Sequence, residues 1–155
     1  MDAADKTTRS RIMSRVRQKN TGPEMILRKS LHKMGLRYRL HDKQLPGSPD
    51  LVLPRFKAVL FVHGCFWHRH GCEGTTTPRT NSDFWRKKFD ANVARDRRNI
   101  ETLKDTGWRV AVVWECSLKC KRGDLNVVAR LVYEWLVSSE KHMVIPANEQ
   151  LEAQL

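Results

Sequence analysis

With 155 residues, the chain has the length of a single domain, 1–155, that buries its own core, and it contains no apolar run long enough to span a bilayer. The charged N-terminus is unlike a secretion signal, so we expect a cytoplasmic protein rather than a membrane or secreted one. Lysine and arginine number 29 against 17 acidic residues, a formal net charge of +12, which favours a nucleic-acid partner over a generally basic protein without one.

The first predicted elements are a basic arm and a capped helix. Residues 1–20 predict a short amphipathic helix or arm, either solvated or laid on DNA phosphates. Thr21 and Glu24 form a capping box that predicts a helix to Met34, ended by Gly35. Its expected core face is Leu27, Leu31 and Met34. The same spacing, continued towards the start of the helix, places Glu24 at the edge of that buried face. Glu24 is therefore either a capping residue or a carboxylate near an active site.

Alternating and apolar segments predict a sheet. Residues 36–41 alternate and predict one strand, and a turn at 45–49 leads to Asp50. Residues 50–53 and 57–63 predict a hairpin, and the second run is continuously apolar, as in a central strand covered on both faces. Residues 108–114 predict a further buried strand, which is followed by Glu115 and Cys116.

Two further helices follow from the sequence pattern. The first begins at Ser82 or Asp83 and ends at Gly107, and its inner seam is Phe89, Val93, Asp96, Ile100 and Leu103. A charge within such a seam, as at Asp96, needs a partner. Asp124 is the expected cap of the last helix, whose buried side we expect to be Val127, Val128, Leu131, Trp135 and Leu136. Residues 65–80 are expected to be a long loop and residues 138–155 a loose tail.

Cysteines and histidines cluster after the central strand. Cys65, His68, His70 and Cys72 fall within eight residues, and Cys116 ends a neighbouring strand and can reach the same loop. In a cytoplasmic chain these cysteines favour metal binding or plain burial over disulfides. Three thiolates and one imidazole would make a closed tetrahedral zinc site, for which the spacing offers either histidine; reduced, buried cysteines are the alternative.

Asp50 and the neighbouring histidines indicate phosphodiester chemistry. A carboxylate and a backbone carbonyl of the partner strand are enough to hold Mg²⁺, which keeps several of its waters. His63 and His68 are candidates for proton transfer, with Asp96 orienting one of them. The plainer alternatives are a turn residue at Asp50 and a core histidine at His63.

Aromatic and basic side chains indicate contact with DNA. Phe66 and Trp67 lie between the candidate metal ligands, and Trp85 opens the helix that also carries Arg95, Arg97 and Arg98. Exposed aromatic rings among cations are suited to stacking on bases or insertion between them. The alternative is that these rings fill a small core around the metal.

Several motifs together resemble the bacterial very short patch repair (Vsr) DNA mismatch endonuclease family over nearly the whole chain. They are Thr8-Arg-Ser10, Leu45-Pro-Gly-Ser-Pro-Asp50, Phe61-Val-His-Gly-Cys-Phe-Trp-His68, Asn92-Val-Ala-Arg-Asp-Arg-Arg98, Gly107-Trp-Arg109 and Val113-Trp-Glu-Cys116. The resemblance implies a restriction-endonuclease-like α/β fold, with a central mixed sheet flanked by helices and a structural zinc site. It also implies a monomer that nicks one DNA strand on the 5′ side of the thymine in T·G mismatches left by deaminated 5-methylcytosine. A functional link to a cytosine-5 methyltransferase and to general mismatch-repair proteins is implied as well.

The resemblance also implies roles for single residues. Asp50 and the backbone carbonyl of Val62 match the family's Mg²⁺ ligands, and His68 matches its proton-transfer histidine. The supporting catalytic positions are Glu24, His63 and Asp96. The implied zinc ligands, which include His70 and not His68, are Cys65, His70, Cys72 and Cys116. The aromatic residues implied to enter the DNA are Phe66, Trp67 and Trp85.

The chain departs from the broader nuclease fold at Phe61 and His63, where an acidic residue and a lysine are usual, a loss typical of this family. Segment 73–81 and the residues after 138 match no family motif, so the resemblance does not identify which flanking bases the protein prefers. Two rival functions are a general restriction-type duplex endonuclease and a zinc-stabilised DNA-binding module without catalysis.

Overall fold

The computed structural model describes residues 19–118 and 125–146. The expected basic arm up to residue 18, the expected cap at Asp124 and the end of the expected tail lie outside these ranges.

A five-stranded mixed sheet forms the centre of the described chain. Its strands, in their order across the sheet, are β1 Arg39–Leu40, β2 Leu51–Leu53, β3 Ala58–His63, β4 Arg109–Trp114 and β5 His142–Ile145. The first three strands are antiparallel, whereas β4 runs parallel to β3 and β5 parallel to β4. This confirms the predicted hairpin, whose strands β2 and β3 are joined by a 3₁₀ turn, Pro54–Phe56.

Helices cover both faces of the sheet, which gives a mixed α/β architecture. They are α1 Gly22–Lys33, α2 Cys65–His68, α3 Ser82–Asp105 and α4 Leu125–Val137. Alternate strand residues point to opposite faces. Leu60 and Val113 share one core with α1 and α4, and Val59 and Val112 share the other with α3. The predicted central strand β3 is thus covered on both faces, as expected. No helix in the described ranges combines the length and the apolar character that crossing a membrane requires.

The start of α1 differs in one detail from the predicted capping box. Thr21 caps the helix, and its hydroxyl accepts the backbone N–H of Glu24 at 3.4 Å. The Glu24 carboxylate accepts the N–H of Asn20 at 2.9 Å rather than that of Thr21, so it reaches one residue further back along the chain. Glu24 is buried as expected, with 1% of its surface exposed, but Met34 is exposed instead of forming part of the core.

Short elements account for two expectations that were wrong. The segment expected to be a loop begins with one helical turn, α2, which is too brief to show a sequence period. The expected tail contributes β5, where Val144 and Ile145 are buried against the sheet. A four-residue strand carries a weak pattern of its own, and it is fixed by backbone pairing with β4. The strand predicted for 36–41 is present only at 39–40.

The prediction of which face of α4 is buried was also partly wrong. Val127 and Leu131 are exposed, and the buried residues are Val128, Ala129, Val132, Trp135 and Leu136. Apolar residues occur around most of this helix, so its periodicity does not select one face unambiguously. The face turned inward is the one that packs against α1.

Candidate active site and metal centre

The candidate residues converge at the carboxyl ends of the parallel strands β3 and β4. In the register of this pair, His63 lies beside Trp114, so the segments that follow the two strands meet. In open α/β sheets such an edge is the usual place for a ligand. A cleft of about 1150 Å³ opens there, and six of its lining residues are Asp50, His63, Trp67, His68, Trp85 and Asp96.

The expected zinc ligands form one cluster. One side-chain donor atom of each of Cys65, His70, Cys72 and Cys116 lies within 4.8 Å of the others. Nδ1 of His70 lies 3.7 Å from Sγ of Cys65 and 3.5 Å from Sγ of Cys116. Zinc–sulfur bonds of about 2.3 Å and a zinc–nitrogen bond of about 2.0 Å in a tetrahedron would separate these atoms by about 3.6 Å. The donor set therefore fits a tetrahedral metal ion.

The protonation of the thiols is consistent with a site built for a cation. Burial raises the pKa of Cys65 and that of Cys116. For Cys72, burial acts in the same direction, but hydrogen bonds from the Gly74 N–H and from neighbouring side chains outweigh it and lower the pKa. Without a positive charge, three adjacent thiolates would therefore be unfavourable; a bound dication reverses this and deprotonates its thiol ligands.

Asp50 is held at the start of β2 by the neighbouring strand. Its Oδ2 accepts the backbone N–H of Val62 at 2.7 Å, and its other oxygen has no hydrogen-bond partner among the described residues. Burial raises the pKa of Asp50 to about 6, and the nearby Glu24 acts in the same direction, whereas the Val62 N–H, His41 and His68 oppose the rise. A half-buried carboxylate with a free oxygen in a cleft is suited to a hard cation.

Glu24 reaches the same end of the cleft from α1 and meets a residue that sequence reasoning missed, His41. Nε2 of His41 lies 2.5 Å from Oε1 of Glu24, and Arg28 lies 3.3 Å from the same oxygen. The sequence could have indicated His41 only through its position relative to Asp50 in the sheet. The antiparallel pairing that sets Leu40 opposite Leu51 also sets His41 beside Asp50.

His68 lies between a buried histidine and a carboxylate. Its Nδ1 is 2.5 Å from Oδ2 of Asp96, which provides the partner that the charge in the α3 seam required. Its ring stacks on that of His63 with centroids 3.9 Å apart and planes 4° from parallel. Burial lowers the pKa of His63 well below its usual value, and the neighbouring His68 and Arg95 act in the same direction. His63 is therefore neutral, whereas Asp96 holds the ring of His68.

Aromatic rings line the other side of the cleft. Phe66 and Trp67 are half-buried, and Trp85 and Phe89 pack beneath Phe66 with ring centroids 6.0 and 5.2 Å away. Trp85 was expected to be exposed, but it retains only 9% of its surface. Phe84, which the sequence did not single out, is instead 59% exposed.

Polar contacts fix the turn that carries these rings. The side chain of Asn92 donates to the carbonyl of Trp67 at 3.2 Å. Glu115, also missed from the sequence, accepts the N–H of Cys65 at 3.1 Å. The three arginines predicted to contact DNA are exposed but lie in different places: Arg95 lines the cleft, Arg97 lines a smaller cleft beside Arg69, and Arg98 lines neither.

Comparison with known proteins gives consistent matches. A family model described as DNA mismatch endonuclease Vsr matches residues 1–74. The DNA mismatch endonuclease Vsr of Escherichia coli K12 is 45% identical over 118 residues, which cover 76% of each chain. The type II nicking enzyme V.XorIIP of Xanthomonas oryzae is 54% identical over 69% of this chain and 79% of its own length. The type II nicking enzyme V.NmeAIP of Neisseria meningitidis is 44% identical over 81% and 90%, respectively.

Proposed function

The chain belongs to the DNA mismatch endonuclease Vsr family, and from this premise we propose that it nicks one strand of duplex DNA on the 5′ side of the thymine in a T·G mismatch. The observation that carries the proposal is the meeting of Asp50 and the His68–Asp96 pair in one cleft. A carboxylate for a cation and an oriented imidazole are the groups that hydrolysis of a phosphodiester requires.

The protein's own part of the reaction is proton transfer. If Nδ1–H of His68 donates to Asp96, the other ring nitrogen, Nε2, carries the lone pair. Nε2 then accepts a proton from the attacking water as that water approaches phosphorus in line with the leaving 3′ oxygen. The bond between phosphorus and the 3′ oxygen breaks as the new P–O bond forms, and the departing oxygen takes a proton from a solvent water. The products are 5′-phosphate and 3′-hydroxyl ends. Neutral His63 supports the ring of His68 by stacking without adding charge.

The donor set at Asp50 fits Mg²⁺. We propose that the carboxylate of Asp50 and the backbone carbonyl of Val62 hold this ion, with Glu24 in support. When bound there, Mg²⁺ would neutralise the negative charge that develops on the phosphate. The free oxygen of Asp50 and its place in the cleft support this assignment.

A structural zinc ion is proposed for the cluster of Cys65, His70, Cys72 and Cys116. Its support is the match between the sulfur–nitrogen distances and a tetrahedral ion. Four protein ligands would fill the coordination sphere of the ion, so no position would remain for substrate. Zinc would therefore fasten the segment after β3 to the segment after β4, and it would take no part in hydrolysis.

Recognition of the mismatch is proposed for the aromatic side of the cleft. Phe66 and Trp67 would enter the base stack beside the T·G pair, since a mismatched step is less costly to open than a paired one. Trp85 would act mainly as the support beneath them because it is nearly buried. Arg95, Arg97 and Arg98 would contact phosphates on either side.

The wider assignments remain proposals of the same kind. They are a restriction-endonuclease-like fold, a single domain over 1–155 with a basic arm at 1–20, and a monomer in solution. The proposed biological setting is very short patch repair, coupled to a cytosine-5 methyltransferase and to general mismatch repair.

One assay tests this proposal against both rivals. Labelled duplexes that carry T·G, T·A or C·G at one position are incubated with and without Mg²⁺, and the cut strand is mapped. We expect a single nick 5′ of the mismatched thymine, only with Mg²⁺. Cleavage of both strands of matched duplexes would instead indicate a general endonuclease, and binding without cleavage would indicate a DNA-binding module.

A further inference from the structure

We infer that the smaller cleft, which Arg69, Arg86 and Arg97 line, binds backbone phosphates of the duplex beyond the mismatch and supplies affinity that does not depend on the mismatch. The inference rests on the proposed function, because it assigns a second contact with the same substrate. Arg69 and Arg86 lie outside the motifs that carry the family resemblance, so those motifs give neither residue a role.

The smaller cleft lies on a different face of α3 from the active-site cleft, and it has a volume of about 700 Å³. Helix residues spaced by four, three and four positions share one face. One such row lines the smaller cleft: Arg86, Asp90, Val93 and Arg97. Another row with the same spacing lines the active-site cleft: Lys88, Asn92, Arg95 and Asn99. The helix α3 therefore separates the two clefts.

The smaller cleft carries an excess of positive charge. Three guanidinium groups face a single carboxylate, that of Asp90. Arg86 and Arg97 are exposed, and neither has an ion-pair or hydrogen-bond partner among the described residues. About 16 Å of helix axis separates these two arginines, which is the axial length of about five base pairs. The two guanidinium groups can therefore contact different phosphates of one duplex, and their planar forks match phosphate oxygens.

Arg69 is held in a fixed position by the protein itself. Its guanidinium lies 4.1 Å from the centroid of the Phe89 ring. It donates to the carbonyls of Phe66 and Thr76 at 3.3 and 2.8 Å and to the hydroxyl of Thr77 at 2.7 Å. Arg69 also adopts a φ of 59°, a left-handed conformation that is costly for a residue with a Cβ and is found where the surroundings impose it. These bonds use three of the five N–H donors of a guanidinium, so two remain for a phosphate.

Phe66 connects the smaller cleft to the proposed place of mismatch recognition. Its carbonyl accepts a hydrogen bond from Arg69, and its ring packs against that of Phe89 with centroids 5.2 Å apart. A duplex that takes Phe66 between its bases would therefore have a stretch of backbone within reach of Arg69. Phosphate contacts position a protein on DNA but carry no sequence information, so the smaller cleft should hold mismatched and paired duplexes equally well.

The test measures how the affinity for DNA depends on salt, with the full chain loaded with zinc and without Mg²⁺. Fluorescence anisotropy follows binding to T·G and T·A duplexes by the unmodified chain, Arg86→Gln and the double variant Arg86→Gln/Arg97→Gln. Arg55→Gln is the control, since Arg55 is exposed in the turn at the opposite end of β3. Each lost phosphate contact lowers the slope of log K against log salt by about 0.9. We expect losses of about 0.9 and about 1.8 in the two variants, equal for both duplexes, and none in the control.

Duplexes shortened stepwise on either side of the T·G pair then locate the contact. Shortening one flank should weaken binding by the unmodified chain and should have no further effect on the double variant, because the phosphates removed are those that the smaller cleft would hold. Zinc content and thermal unfolding check that each variant is folded.

Salt slopes in the variants that equal those of the control would overturn the inference, because the smaller cleft would then not touch DNA. A loss confined to the T·G duplex would overturn it too, since the arginines would serve recognition of the mismatch. So would a double variant that loses as much affinity as the unmodified chain when either flank is shortened. If the slopes change as expected but no T·G duplex is nicked when Mg²⁺ is added, the proposed function fails and the phosphate site stands.

Discussion

Oδ2 of Asp96 lies 2.5 Å from Nδ1 of His68, so a carboxylate on the long helix α3 fixes an imidazole on the one-turn helix α2. The pair joins two different helices, and its members lie 28 positions apart in the sequence. Such a partner sets both the orientation and the tautomer of a histidine. The pair is therefore the most direct place to test the proposed proton transfer.

Asp96→Asn should lower the rate of nicking about 10²–10⁴-fold, the range by which a positioned acid or base contributes. The amide keeps the shape of the side chain but donates a hydrogen, which favours the wrong tautomer of His68. Binding to a T·G duplex should be unchanged. Single-turnover nicking and fluorescence anisotropy measure the two effects. Asp90→Asn, an exposed acid on the same helix, is the control, and a full rate in Asp96→Asn would contradict the proposed pair.

Asp50→Asn should abolish nicking yet stabilise the fold at high pH. Burial raises the pKa of Asp50 from 3.8 to about 6, so the folded state binds the proton more tightly than the unfolded state. Stability is therefore lost as pH rises from about 4 to about 6, and asparagine removes that loss. Without added divalent ions, the variant should be more stable at pH 8 by up to about 3 kcal/mol.

Urea unfolding of Asp50→Asn and of the unmodified chain at pH 4 and at pH 8 measures this difference. The advantage of the variant should vanish at pH 4. An advantage that is equal at both values would mean that packing, not charge, is responsible. Nicking that survives the substitution would remove Asp50 from the proposed chemistry.

Cys116→Ser should release zinc, because a serine hydroxyl is a poor substitute for a thiolate ligand. Binding of a structural zinc ion contributes directly to folding, so the midpoint of thermal unfolding should fall as well. Zinc content by mass spectrometry and unfolding by circular dichroism follow the two effects. Cys120→Ser is the matched control, since Cys120 is not among the proposed ligands. Unchanged zinc content in Cys116→Ser would rule out the proposed ligand set.

Trp67→Leu should weaken binding to a T·G duplex by about 1–3 kcal/mol, the range for an aromatic ring stacked on a base. Affinity for a fully paired duplex should change less, because that duplex resists opening. Trp108→Leu alters a tryptophan that does not line the cleft and serves as the control. Equal losses for mismatched and paired duplexes would assign Trp67 to general packing instead of recognition.

Arg109→Lys should destabilise the fold by about 1–3 kcal/mol, in the range for hydrogen bonds to charged groups. The guanidinium donates to the carbonyls of Trp135, Leu136, Ser138 and Glu140 and lies 4.6 Å from the centroid of the Trp135 ring. A single ammonium cannot reproduce this fork of donors. Urea unfolding measures the effect, with the exposed Arg130→Lys as control. A loss no greater than that of the control would contradict the anchoring role.

Local patterns predicted the parts of the fold that local physics decides. The capped start of α1, the hairpin and the long helix α3 follow from turn chemistry and periodicity, and the structure confirms them. The need of Asp96 for a partner was also readable, because a charge in an apolar seam is unfavourable when unpaired. The cluster of cysteines and histidines could be expected once Cys116 was set at the end of a neighbouring strand.

Tertiary pairing decided the rest, and no local pattern encodes it. The strand β5 is fixed by its neighbour β4, and α4 turns inward the face that fits α1. The position of His41 beside Asp50 and Glu24 is set by the register of the antiparallel pair β1 and β2, which no local pattern reveals. The burial of Trp85 likewise follows from its packing against Phe66 and Phe89.

Helix α2 joins Cys65 to His68 within a single turn. A metal ion that binds Cys65 would therefore also fix the position of the backbone from which the His68 side chain reaches the cleft. Zinc occupancy and catalytic competence would then be thermodynamically linked, so each would change the equilibrium of the other. If the proposed zinc ion were lost, Cys65 would no longer be held, and the position of His68 in the cleft would no longer be fixed. The short helix α2 would thus couple the folded state of the cysteine cluster to the nicking activity.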